Sequence, residues 1–357
     1  MHLGILGLPQ SGKTTVFNAL TGQAVPTGAG GHGKIEIHLA SATVPDARVD
    51  VLAGMYKPRK TIYATVAFVD IDFPAADDPV SLPGQVKNEL AKADALVHVV
   101  RAFASSGVPH PFGSVDVARD LSAFRSELLL SDLLTVEARL DRLKSEWPKR
   151  KGDERKLNEE ETAILTRFHD HLSAEQPLRE LTDIAPSDHR LVRGFGLFTL
   201  RPELVVVNCD EGEVAGAAQL AGGGRDAVAL CSVLEAEIAQ LAPADRQAFL
   251  DEFGLEAPAA ERVIRTSYEL LGVHNFFTVG EDEVRAWELS AGDTAVDAAG
   301  VIHTDLARGF IRAETTAYED LIALGDMPKV KAAGRQRLEG KTYVVQDGDI
   351  LMIRAAP

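Results

Sequence analysis

Short apolar runs without a helical period alternate along this chain with longer segments whose apolar residues recur every three or four positions. That alternation predicts an α/β protein built on a parallel-type sheet. Leu3 to Leu6 reads as a buried strand, as do Ile62 to Val69, Ala95 to Val100 and Leu204 to Val207. An acid, Asp70, closes the second of these runs. Between the last two, Leu129, Leu133, Val136, Leu140, Leu143 and Trp147 recur at alternating spacings of four and three. This spacing predicts a helix from about Ser122 to Trp147 with a coiled-coil seam. Lys149-Arg150-Lys151 then makes a basic turn, and a second helix is expected to present Leu157, Ile164, Phe168 and His171 on one face. Two helices joined so briefly form an antiparallel hairpin, which interrupts the α/β domain. The last 80 or so residues, with turns around Gly300, Gly309, Gly340 and Gly348, read as a separate small β-rich module.

The candidate chemistry sits at the ends of these strands. Gly7-Leu8-Pro9-Gln10-Ser11-Gly12-Lys13-Thr14 fits G-x-x-x-x-G-K-[ST], between an expected strand and an expected helix starting near Thr15. In such a loop the backbone N–H groups wrap phosphates and the helix N-terminus adds its positive dipole end. Lys13 would reach the β- and γ-phosphates, and the Thr14 hydroxyl would sit on Mg²⁺. Asp70, at the C-terminal end of a strand, stands where phosphate-loop enzymes hold Mg²⁺. Asn208-Cys209-Asp210-Glu211 follows another buried strand. GTPases carry Asn-Lys-x-Asp there, the Asp reading guanine. With Glu at the fourth position and no Lys at the second, the preference for guanine should weaken or invert.

Composition narrows the class. At 357 residues the chain exceeds what one core supports, so two or three domains are expected, and 45% apolar residues suffice to fill them. A net charge of −16 argues against unspecific nucleic-acid binding through the whole surface, and no sequence-specific DNA binding is expected. Two cysteines, Cys209 and Cys231, suit a reducing cytosol and exclude a disulfide framework. No apolar stretch approaches a membrane span, and the N-terminus lacks the basic region of a signal peptide.

Longer stretches carry a resemblance. Gly4 to Pro9, Phe17 to Thr21, Val44-Pro45-Asp46-Ala47-Arg48, His98 to Arg101 and Asn208 to Glu211 are similar to the YchF/Obg-like ATPase family, within the translation-factor-related GTPases. So are Val284 to Trp287, Ile302 to Asp305, Gly309 to Glu314 and Lys341 to Asp349, so the resemblance covers nearly the whole chain. It implies a P-loop nucleotide domain in two parts (1–120 and 181–273), a hairpin insertion (121–180) and a TGS-like, ubiquitin-like C-terminal domain (274–357). It also implies a cytoplasmic Mg²⁺-dependent ATPase, with GTP the less favoured ligand, associated with the ribosome or ribosomal RNA. Gln10, Ser11, Gly12, Lys13, Thr14 and Thr15 would hold the phosphates. Asn208, Cys209 through its backbone, Glu211, Cys231 and Ser232 would surround the base, with Val233 in a slot where the family carries Lys. Thr14 and Asp70 would hold the metal, and Lys13 would stabilise transferring charge.

The family uses a loop histidine in place of the water-orienting glutamine of Ras-like enzymes, and His110 falls at that position. His98, inside an apolar strand, reads instead as a core histidine. Two switch motifs depart from the pattern. Where Asp-x-x-Gly is usual, the chain reads Asp70-Ile71-Asp72-Phe73-Pro74, and Lys34 occupies the slot of a metal-binding Thr, with Thr27 the nearest substitute. Slow hydrolysis is the expectation; a nucleotide-gated binding module with little or no hydrolysis, or a GTP-binding protein, is the alternative.

Overall fold

The computed structural model describes residues 1–27, 35–73, 78–222, 226–252 and 257–356. Its strands are β1 His2–Leu6, β2 Glu36–Thr43, β3 Lys60–Ile62, β4 Thr65–Asp72, β5 Ala95–Arg101 and β6 Glu203–Asn208. They continue as β7 Ala227–Leu230, β8 Val273–Val279, β9 Glu283–Ser290, β10 Phe310–Ala317, β11 Arg337–Glu339 and β12 Asp349–Ala355. The chain divides into two compact units, Met1–Ser41 with Ala67–Val263, and Ala42–Val66 with Ile264–Pro357.

The first unit carries a six-stranded sheet in the order β2-β4-β1-β5-β6-β7. The β1–β4, β1–β5, β5–β6 and β6–β7 ladders are all parallel. β5 and β6 are buried at every position, the pattern of parallel strands covered on both faces. The C-terminal ends of β1, β4, β6 and β7 therefore carry the loops that can face a ligand.

The hairpin helices run Val117–Glu146 and Asp153–Ser173. The first starts earlier than its apolar period suggests, because the Asp116 side chain caps it by accepting from the Arg119 N–H (3.0 Å). The second buries Ile164, Leu165, Phe168 and Leu172, whereas Leu157 is 51% exposed. Its face thus differs from the expected one. Glu161 occupies a seam position and is held by Arg139 through two bonds of 2.6 and 2.9 Å, so a charged residue stands where an apolar count finds nothing.

Ile62 to Val69 is not a single strand. β3 ends at Ile62 in one sheet, and β4 begins at Thr65 in another. The second unit's sheet has the order β11-β10-β12-β8-β9-β3, mostly antiparallel, with β12–β8 and β3–β9 parallel. The helix Ala295–Ile302, opened by a Thr294/Asp297 capping box, lays Ala295, Ala298 and Ala299 against Phe276, Leu289 and Phe310. Two stretches far apart in sequence meet in this unit. Arg48 donates to both Asp347 oxygens (2.9 and 3.0 Å), and Asp46 accepts from Asn275 Nδ2 (3.0 Å). Among the described residues no helix is long and apolar enough to cross a membrane.

Candidate functional site

The loop after β1 is shaped by two glycines. Gly7 has φ +141, and a Cβ there would lie 2.2 Å from the Val99 carbonyl oxygen. Gly12 has φ +91, and its Cβ would lie 2.2 Å from Asn208 Nδ2. Only a residue without a side chain lets the backbone turn this closely. The helix Lys13–Thr21 follows at once, so its first N–H groups point into the loop. Lys13 Nζ crosses the loop to donate to the Leu8 carbonyl (3.0 Å) and lies 5.6 Å from the Phe73 ring centre. Burial lowers the Lys13 pKa, while the charges of Asp70 and Asp72 oppose that shift. Gln10 is exposed in the left-handed region (φ 62), Thr15 is half-buried, and Ser11 is buried.

Asn208 ties this loop to the start of another helix. Its Nδ2 donates to the Ser11 carbonyl (3.0 Å), and its Oδ1 accepts from the Ser232 N–H (3.1 Å). At the far ends of the two helices, Gln240 Nε2 donates to the Gly22 and Gln23 carbonyls (2.9 and 3.1 Å). Ser11, Gly12, Asn208 and Ser232 thus form one rigid group, with Cys231 half-buried at the start of the helix Ser232–Gln240. Cys209 is buried, its thiol donating to the Leu230 carbonyl (3.5 Å). Burial, then the neighbouring Cys231, push its pKa up to about 11, so it is an inert thiol near neutral pH. Glu211 is exposed at the head of the turn Glu211–Glu213.

Asp70 is fully buried. Its Oδ2 accepts from the Thr14 hydroxyl (2.7 Å), and its Oδ1 has no hydrogen-bond partner among the described residues. A hydroxyl beside a buried carboxylate with a spare oxygen fits a hard divalent cation. Among the described residues no group of three or more His, Cys, Asp or Glu could hold a metal alone, so Mg²⁺ here would depend on phosphate oxygens and water. Sequence reasoning missed His38, whose Nδ1 lies 3.5 Å from Asp70 Oδ2. Its only signal was the alternation of β2, and the exposed Ile37 and Leu39 on either side obscured it.

The His110 side chain is shielded from solvent, 4% exposed. Nδ1 accepts from the Phe112 N–H (3.1 Å), and Nε2 lies 2.8 Å from Asp120 Oδ2. With one nitrogen accepting from the backbone and the other facing a carboxylate, neither can take a proton from water in this arrangement. Arg119 secures Asp120 through two bonds to Oδ1 (2.9 and 2.7 Å). His98 is a core residue, 2.8 Å from Glu203. Lys34 and Pro74 lie outside the described residues.

A loop shaped for phosphates at the end of a parallel strand, with a buried carboxylate beside its hydroxyl, defines a P-loop nucleotide-binding protein. A helical hairpin and a separate β-rich unit complete it. The chain belongs to the YchF family. The ribosome-binding ATPase YchF of Bacillus subtilis (strain 168) is 38% identical over 363 residues, 98% of each chain. That of Escherichia coli O157:H7 is 37% identical over 357 residues, 98% of this chain and 97% of its own. The solved structure of the Schizosaccharomyces pombe YchF GTPase superposes with a TM-score of 0.83 at 28% identity, covering 99% of this chain and 97% of that one. The family model YchF-GTPase_C, described as "Protein of unknown function (DUF933)", matches residues 273–356.

Proposed function

We propose that this chain is a cytoplasmic, Mg²⁺-dependent ATPase of YchF type with slow turnover, acting at the ribosome. The observation that carries the reading is the contact of Thr14 with Asp70, directly below the glycine-shaped loop. Thr14 and Asp70 would hold the metal, which when bound neutralises charge on the transferring phosphates. Gln10 to Thr15 wrap the phosphates, and Lys13 exchanges the Leu8 carbonyl for a phosphate oxygen. Asn208 sets the loop against Ser232, while Glu211, the Cys209 backbone and Cys231 are the groups near the base. Glu211 in place of Asp favours adenine over guanine. We read residues 1–120 and 181–273 as the nucleotide domain, 121–180 as the insertion and 274–357 as TGS-like. The ribosome as partner rests on the names of the relatives.

A second reading has support of its own. His110 serves turnover only if the segment between β5 and the first hairpin helix frees it from Asp120 and the Phe112 N–H. If that never happens, the chain is a nucleotide-gated binding module. Single-turnover hydrolysis of γ-labelled ATP and GTP, with Lys13→Ala as the blank, separates the two. ATP cleavage above the blank with GTP slower is the expected result. Cleavage of neither, despite tight binding of Mg·ATP, selects the binding module, and faster GTP cleavage removes the adenine assignment.

The basic turn of the hairpin is the first suspect for ribosome contact. Arg150 is already compensated by Glu146 and Glu154 (3.1 and 3.3 Å), so Lys149 and Lys151 carry what charge is free. Replacing both by glutamine should reduce ribosome co-sedimentation severalfold and shift it to lower salt. Unchanged sedimentation discards this surface.

A further inference from the structure

The C-terminal unit holds a groove of about 400 Å³ that shares no residue with the nucleotide site. Its walls are the open face of β10 and β12 and the short helix Met327–Ala332. The ladder sets Thr316 opposite Ile350 and Glu314 opposite Met352, which brings these four side chains to one face. Thr316 and Ile350 are 1% and 3% exposed and form the deep end; Met352, 49% exposed, lies at the mouth.

The charge on the rim makes this more than a surface crease. Arg354 donates to Glu314 (2.8 Å), and Lys331, which forms no ion pair among the described residues, acts on the same carboxylate through its field. Two cations thus share one carboxylate, a local excess of positive charge on a chain of net charge −16.

We infer that this groove binds a small amphipathic anion. An apolar body lies along Ile350, Met352 and Met327, and a carboxylate or phosphate meets Lys331. The volume suits a ligand of that size, and an apolar wall with few convergent polar groups is the usual composition of such sites. Cations meet Lys331 with like charge, and sugars gain nothing from the methionine wall.

The chain has four methionines, two of which line the groove, so methionine-methyl labelling of the full chain gives a direct reading. The Met327 and Met352 signals, assigned from Met→Leu variants, are followed on titration with octanoate and, separately, with phenyl phosphate. Saturable shifts of both signals are expected with at least one probe. Lys331→Ala should weaken the affinity about tenfold. Response to octanoate alone identifies a carboxylate site, response to phenyl phosphate alone a phosphate site, and response to both a site that reads charge. Lys331 is exposed, so this variant does not threaten the fold. If neither probe produces saturable shifts, or if they persist unchanged in Lys331→Ala, the groove is not an anion site.

Discussion

Replacing Gly12 by valine should weaken ATP and ADP alike, by roughly ten- to a hundredfold, while leaving the chain folded. Three effects combine. A β-branched residue at φ +91 is strained by about 1–3 kcal/mol. The new Cβ would stand 2.2 Å from Asn208 Nδ2, so either the loop or the asparagine must move. Moving the asparagine releases the Ser11 carbonyl and the Ser232 N–H, both buried and both dependent on it. The loss falls on ATP and ADP equally because the loop backbone faces phosphates common to both. Asn208→Ala keeps Gly12 and removes only the tie, and the double variant should lose less than the two single losses added. Calorimetry with both nucleotides checks this. Wild-type affinity in Gly12→Val would show that the contact with Asn208 does not shape the loop.

The difference between what the residues announced and what they concealed is physical. A phosphate loop is legible because its demands are local: glycine where backbone crowds, lysine and threonine at fixed offsets, and an apolar strand before them. β5 and β6 were equally plain, since a strand buried on both faces is an unbroken apolar run. Alternation within Ile62 to Val69 could not reveal a change of sheet, because an extended chain looks the same in either. Nor could it reveal that residues 42–66 fold with the C-terminal unit, which depends on Arg48 finding Asp347 almost three hundred residues away.

Buried polar groups were the least legible. Asp132 is invisible to an apolar pattern, yet it accepts from the N–H groups of Phe198 and Thr199 and from the Thr199 hydroxyl (2.9, 2.7 and 2.7 Å). His110 sits in a proline-flanked loop that reads as solvent-exposed, and its burial comes from a carboxylate one helix turn into the next element. Such partners are chosen by tertiary contact, and spacing along the chain does not encode them.

Glu203 shows how much such a choice can weigh. Its carboxylate, 1% exposed, lies 2.8 Å from His98 Nδ1 and accepts from Arg125 Nε (3.0 Å) and from Arg179. It thereby joins β5, the start of β6 and the first hairpin helix at one point. Glu203→Ala leaves two arginines without their counter-charge and the buried His98 Nδ1 without its hydrogen-bond partner, and should cost about 3–5 kcal/mol. For a unit of this size that lowers the melting midpoint by roughly 6–20 °C. Glu203→Gln keeps the shape and exposes the electrostatic part. Burial pushes the Glu203 carboxyl up, but the His98 hydrogen bond and the surrounding charges outweigh it and hold the pKa well below the ordinary 4.5. A carboxylate so depressed gives stability that is present above pH 4.5 and lost as pH falls further. His98, lowered by burial from 6.5, adds in the same direction, because below that pH the unfolded chain takes up a proton that the folded one refuses. Wild type should therefore lose stability on acidification from about pH 6.5, steeply below 4.5, and Glu203→Gln should lack the lower step. Neither variant touches the phosphate loop, so nucleotide affinity at low temperature should survive in both. A Glu203→Gln chain that melts with the wild-type pH profile would mean that the arginines, being partly solvated, already screen the buried charge.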